Sequence, residues 1–175
     1  AVRKIDDKGN VTTLAGGVVG MLDGQGKSAR FNQPYSIAVT PGGVVYVADY
    51  NNHRIRKVTP QGTVTTLAGS TAGYKDGTGN GAQFYNPIGL ALDGQGNVIV
   101  GDYSNQRIRK VTPDGVVTTL AGSGIAGWLD GDPTLARFNY PWGVAVDSAN
   151  NIYVADRYNH RIRKLSGGVV TTVAG

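Results

Sequence analysis

Apolar residues come in short runs along this chain, and Gly, Pro, Asn and Asp fall in the gaps between them. Short β-branched runs bounded by turn residues read as strands. The pattern predicts strands over 36–40, 44–48, 54–59 and 63–67, with turns at "PGG" (41–43), "YNN" (50–52) and "PQG" (60–62). The same series returns at 89–92, 98–101, 107–112 and 116–120, and again at 143–146, 152–155, 161–165 and 169–173. A further pair, 2–5 and 11–14, precedes them. No stretch holds a helical period long enough to compete with these strands.

The strands recur because the sequence recurs. Gly16, Gly69, Gly122 and Gly175 close four "AG" endings at intervals of 53 residues. Phe31, Phe84 and Phe138 repeat at nearly the same interval, as do Asp49, Asp102 and Asp156. Four antiparallel strands per unit, with a long link to the next, describe a propeller blade. The expected fold is all-β: a propeller segment of three four-stranded blades plus an extra N-terminal strand pair. The units divide the chain into 1–16 (the outer pair of an incomplete blade), 17–69, 70–122 and 123–175. Three blades are too few to close a ring. The expectation is either a piece of a longer repetitive protein or copies that complete one another, with self-association through uncovered blade faces and an unpaired strand edge.

Each link carries Met21, Tyr74 or Trp128, then Asp-Gly at Asp23, Asp76 or Asp130, then Ala, Phe and Pro. The expected role is packing: Met/Tyr/Trp and Phe wedge between blades, and Asp-Gly makes a turn. Pro34, Pro87 and Pro141 stand before the first strand of each blade, where a missing N–H costs little.

Composition narrows the classes. The 27 glycines among 175 residues suit many tight turns, and the absence of Cys excludes a disulfide scaffold and a zinc ribbon. No apolar run approaches a membrane span, so membrane insertion is not expected. A net charge of +5 permits polyanion contact without requiring it.

The stretches "GVVYVADYNNHRIRKVTPQG", "GNVIVGDYSNQRIRKVTPDG" and "NNIYVADRYNHRIRKLSGG" resemble NHL repeats, and the "DGxGxxAxFxxP" link at 76–87 is similar to that of bacterial long-repeat NHL proteins. The Asn-His-Leu signature reads Asn-His-Arg at 52–54 and 159–161, and Asn-Gln-Arg at 105–107. The resemblance implies a propeller of about six blades when closed. It also implies a family of protein binders, RNA binders, secreted proteins and one class of metal-dependent lyase, and an extracellular or cell-surface location.

Asp49 and Arg54 flank a hairpin turn, as do Asp102 and Arg107, and Asp156 and Arg161, so a cross-strand ion pair is expected at each. A catalytic carboxylate would not need a copy in every blade. The only histidines are His53 and His160, with Gln106 at the middle position, so a ligand set of one His per blade is incomplete. The Asp-Gly turns offer too few carboxylates for calcium. No nucleophile elbow or phosphate loop is present. The reading is a non-enzymatic scaffold with no cofactor, for protein binding or self-assembly. The expected contact surface is the hairpin turns: Tyr50, Asn51, Asn52 and His53; Tyr103, Ser104, Asn105 and Gln106; Arg157, Tyr158, Asn159 and His160. The rival is RNA or another polyanion held by the repeated Arg and Lys positions, with the turn tyrosines as stacking partners.

Overall fold

A computed structural model describes all residues, Ala1–Gly175. Three antiparallel sheets follow one another, each a meander in which neighbouring strands are also sequence neighbours. The first runs Pro34–Val39, Val45–Asp49, Arg54–Val58 and Thr63–Ala68. The second runs Pro87–Leu92, Val98–Asp102, Arg107–Val111 and Val116–Ala121. The third runs Pro141–Val146, Ile152–Asp156, Arg161–Ser166 and Val169–Ala174. The pair Val2–Ile5 and Val11–Ala15 forms a separate two-stranded sheet.

The links contribute more than the sequence pattern foretold. Gly24–Gln25 and Gly77–Thr78 each pair with the outermost strand of their own sheet, giving the first two blades a two-residue fifth strand. Such segments are too short for any periodicity to announce.

The hydrophobic core lies between blades. Period-2 alternation gives each sheet two faces, and facing sheets bury theirs against each other. Tyr46, Ala48, Ile55 and Ala68 of the first blade pack on Phe84, Leu90, Val98, Val100, Val111 and Val117 of the second. Ile99, Ile108 and Ala121 of the second pack on Phe138, Ile152, Val154 and Val170 of the third. Phe31 completes the series against Val2, Ala15 and the first blade's other face. Phe84 and Phe138 are fully buried, as expected of wedges.

Met21, Tyr74 and Trp128 depart from that expectation, since all three are exposed. Two of them lie over cations instead: the Arg107 guanidinium sits 3.6 Å from the Tyr74 ring centre and that of Arg161 4.2 Å from Trp128. A polar tip lets these rings stay at the rim, where Trp128 Nε1 donates to Thr172 Oγ1 at 3.1 Å.

At the inner strands the backbones of the second and third blades come together closely. A methyl group on Gly89 would overlap the Trp142 carbonyl and lie 2.9 Å from the Val144 nitrogen.

Candidate functional site

The expected ion pair inside each hairpin exists with a different arginine. Asp49 and Arg54 are directly opposite in the register, yet the Asp49 carboxylate binds Arg56 Nη1 at 2.7 Å. Asp102 pairs with Arg109 at 2.6 Å and Asp156 with Arg163 at 2.8 Å. The diagonal partner wins because its long stem reaches across one face of the sheet, and there it meets more acceptors. Arg56 also binds Asp23 at 2.5 Å and the carbonyls of Arg30 and Leu22. Arg109 repeats this with Asp76, Gln83 and Lys75, and Arg163 with Asp130, Arg137 and Leu129. The guanidinium of each also lies near its own link Phe, 5.3 Å from the Phe31 ring centre in the first blade. All three arginines are completely buried.

Each hairpin Asp is correspondingly saturated. Asp102 accepts from Arg109, from Asn105 Nδ2 at 2.8 Å and from the Tyr85 N–H at 2.8 Å. Burial pushes its carboxyl up to about 6, against the pull of Arg109 and these donors. The Asp-Gly carboxylates are occupied too: Asp76 takes Arg109, the Thr119 N–H and the Thr119 hydroxyl. These six Asp residues are clamps, and the three buried arginines are lost to any basic stripe.

The hairpin turns form short 3-10 turns at Tyr50–Asn52, Tyr103–Asn105 and Arg157–Asn159, each ended by a residue in the left-handed region. That residue is His53, Gln106 or His160, with φ between 55° and 57°. Of the twelve positions expected to make contact, five are committed inside the fold. Asn52, Asn105 and Asn159 donate to the hairpin Asp and to a link carbonyl. His53 Nδ1 accepts from the Asn86 N–H at 3.2 Å, and Gln106 Oε1 accepts from the Tyr140 N–H at 2.6 Å. These two bonds tie successive blades together. Desolvation, then the nearby Arg54, lowers the His53 pKa, which favours the unprotonated Nδ1 this bond needs.

The other seven stay accessible to differing degrees. Asn51, Arg157, Tyr158 and His160 are exposed, while Tyr50, Tyr103 and Ser104 are half-buried. The structure gathers Tyr50, Tyr103, Arg157 and Tyr158 into one array with three rings the turns do not contain. Tyr35 lies 4.8 Å from Tyr50 and 5.8 Å from Trp142. Trp142 meets Tyr103 at 5.6 Å, Tyr103 meets Tyr140 at 4.7 Å, and Tyr140 meets Tyr158 at 5.2 Å. Arg157 lies over Trp142 at 4.5 Å and is the only charged side chain in the array. Burial raises the Tyr50 and Tyr103 phenols, so both hydroxyls remain protonated at neutral pH. The result is a continuous aromatic surface across all three blades, edged by Asn32, Asn51 and Ser104.

The sequence signal for the missing members was faint. Tyr35 and Trp142 follow the link prolines directly, but the second blade has Ile88 there, so no repeat flags them. Tyr35 reaches Trp142 from two blades away, which no local pattern encodes.

The NHL repeat family matches residues 31–58, 84–111 and 138–165, one stretch in each blade. Human NHL repeat-containing protein 3 is 32% identical over 114 residues, covering 63% of this chain and 30% of that protein. Mouse peptidyl-glycine alpha-amidating monooxygenase is 29% identical over 146 residues, covering 82% of this chain and 14% of that protein. Among solved structures, an auxiliary nutrient binding protein from Bacteroides thetaiotaomicron superposes with a TM-score of 0.72 at 25% identity, covering 97% of this chain and 42% of that one. The chain therefore spans less than half the length of each of these relatives. Its repeated link, its strand meanders and the family match in every blade make it a member of the NHL-repeat proteins.

Proposed function

We propose that this chain is a non-catalytic scaffold that binds a protein partner through the aromatic surface formed by Tyr35, Tyr50, Tyr103, Tyr140, Trp142, Arg157 and Tyr158. The observation that carries the reading is the array's composition. Tyr, Trp and Arg dominate the energetics of protein interfaces, and Asn and Ser at their edge supply adaptable hydrogen bonds. The rings support one another, so little side-chain entropy is lost when a partner lands on them. The carboxylates that could serve acid–base chemistry are already held by arginine, which supports a binding role over a catalytic one.

RNA is the weaker alternative. Base stacking needs phosphate-neutralising cations alongside the rings, and this array offers only Arg157. Self-association remains part of the proposal, and light scattering of dilute protein tests it: a stable monomer of one chain mass would overturn that part. An extracellular or cell-surface location belongs to the proposal by resemblance alone, and native protein found in a cytosolic fraction would overturn that part.

The test is quantitative co-purification of partners by wild type, by Tyr35→Ala/Trp142→Ala, and by Tyr74→Ala, whose ring lies outside the array. A partner retained by Tyr74→Ala and lost by the double variant is expected. Partners bound equally by all three would refute the assignment of this surface.

A further inference from the structure

The aromatic surface has a shape and a polarity that narrow what can lie on it. It does not depend on the ends of the chain, because Tyr50, Tyr103 and Tyr140 stand at internal blade junctions and are half-buried even there. Ring centres follow one another at 4.7–5.8 Å, from Tyr50 through Tyr35, Trp142 and Tyr103 to Tyr140 and Tyr158. Successive planes meet at 42° to 87°, and Trp142 stands nearly perpendicular to both Tyr35 and Tyr103. The surface is therefore a row of ridges one ring wide. A nucleobase stacks on a flat π-face, as does the apolar face of a sugar, and neither matches such a corrugated row.

The polar tips are mostly donors. Trp142 carries an indole N–H and Arg157 a guanidinium, and neither can accept. The Tyr103 hydroxyl accepts from Arg157 Nη1 at 3.3 Å, whereas Trp142 Nε1 and the hydroxyls of Tyr35, Tyr50 and Tyr140 have no partner within the chain. Burial keeps the Tyr50 and Tyr103 phenols protonated. The turn carboxylates Asp49, Asp102 and Asp156 are fully buried and held by arginine. Arg157 is exposed over Trp142 and is the row's one charge. A matching ligand is rich in carbonyls, poor in N–H groups, ridged at a short repeat and acidic beside the ridges.

A polyproline II segment meets all four conditions. Proline has no N–H, and the helix leaves its carbonyls unpaired. Two ring-to-ring steps of the array cover at most about 11 Å, close to the roughly 9 Å between residues i and i+3 of that helix. A β-strand ligand would need a sheet edge to pair with, and a row of side chains offers none. We infer that the partner engages this surface with a proline-rich polyproline II segment that carries an acidic residue among its prolines. The proline rings pack between the aromatic ridges, and their carbonyls accept from the phenols and from Trp142 Nε1. The carboxylate pairs with Arg157. This inference rests on the aromatic surface being the protein-binding face.

The probe is the synthetic peptide PPEPPPEPP, titrated into the whole chain and followed by NMR at the indole N–H groups. Saturable shifts of the Trp142 indole are expected, with that of Trp128 unmoved. Replacing every Pro by Ala should weaken binding about tenfold or more, because the preformed helix is lost. Replacing both Glu by Lys should weaken it about threefold to tenfold, as an exposed attraction becomes a repulsion. Arg157→Glu should reverse that preference, so that the Lys peptide binds better than the Glu peptide. Tyr35→Ala, at an exposed position, should weaken binding about fivefold or more, and Tyr74→Ala should leave it unchanged. Four results would overturn the inference: equal binding of the Pro and Ala peptides, no preference between Glu and Lys, no shift at millimolar peptide, or Trp142 shifts produced by cellohexaose or a uridine decanucleotide in place of the peptide. If co-purified partners are still lost from Tyr35→Ala/Trp142→Ala, such a failure removes the segment class alone. Partners bound equally by that variant remove the surface itself.

Discussion

Arg109→Met tests whether the buried arginine, and not its neighbour on the same sheet face, holds the middle blade together. Methionine keeps most of the apolar stem and removes the guanidinium. Four hydrogen bonds go with it: to Asp102 at 2.6 Å, to Asp76 at 2.6 Å, and to the carbonyls of Gln83 at 3.1 Å and Lys75 at 3.0 Å. Asp76 is partly exposed and can turn to water, but Asp102 is fully buried. It would be left with Asn105 and the Tyr85 N–H as its donors. Breaking a buried pair on one side costs about 3–5 kcal/mol, a large share of the roughly 5–15 kcal/mol that holds a domain folded. Arg107→Ala removes bonds to two carbonyls and the stacking on Tyr74 at a half-buried site, and should cost about 1 kcal/mol. Urea unfolding followed by tryptophan fluorescence measures both. Adding Asp102→Asn to Arg109→Met removes the stranded charge and should recover about 1 kcal/mol or more. The penalty of Arg109→Met should also shrink as pH falls towards 5, because Asp102 then takes up a proton. An Arg109→Met loss no larger than that of Arg107→Ala would refute the reasoning.

Two further expectations follow from the blade junctions. His53 has its pKa lowered in the folded chain, so on acidification the unfolded chain takes up the proton first and stability falls as pH drops below about 6.5; His53→Gln should flatten that part of the pH–stability profile, and an unchanged profile would remove the role given to Nδ1. Gly89→Ala places a methyl against the Trp142 backbone and should cost about 1–3 kcal/mol, whereas Gly143→Ala, whose methyl meets only Ala155 Cβ at 3.8 Å, should melt close to wild type; equal melting temperatures for the two variants would contradict the close approach.

The strands were legible because alternation and turn residues are local. Residues 44–48, read from the sequence, are displaced by one residue from Val45–Asp49, and 98–101 stops one residue short of Val98–Asp102. The Phe wedges were legible too, since a nearly constant spacing of a large apolar residue has one economical explanation. Alternation could not say which of two arginines on the same face turns inward. Arg54 is opposite Asp49 in register, but the acceptors that decide for Arg56 lie in the link, about thirty residues upstream. The same limit hid the aromatic surface. Tyr50, Tyr103 and Tyr158 belong to the repeated turn and could be read from it, while Tyr140 and Trp142 join them only through the way three blades converge. The histidines look like ligands when counted by type, yet His53 and Gln106 do one job, which any acceptor of suitable reach performs.

The arginine clamp has a mechanical consequence. Arg56 holds Asp23, and Asp23 holds Thr66, so each blade is a closed loop, spanning 43 residues of chain in the first two blades and 42 in the third. Tension applied at the two ends loads these loops in series, and none can lengthen until its clamp ruptures. Fully extended chain covers roughly 3.5 Å per residue, so each rupture frees on the order of 150 Å of slack at once. The chain would then yield in discrete steps of similar size, one blade at a time, and between steps it would carry load as a stiff tether.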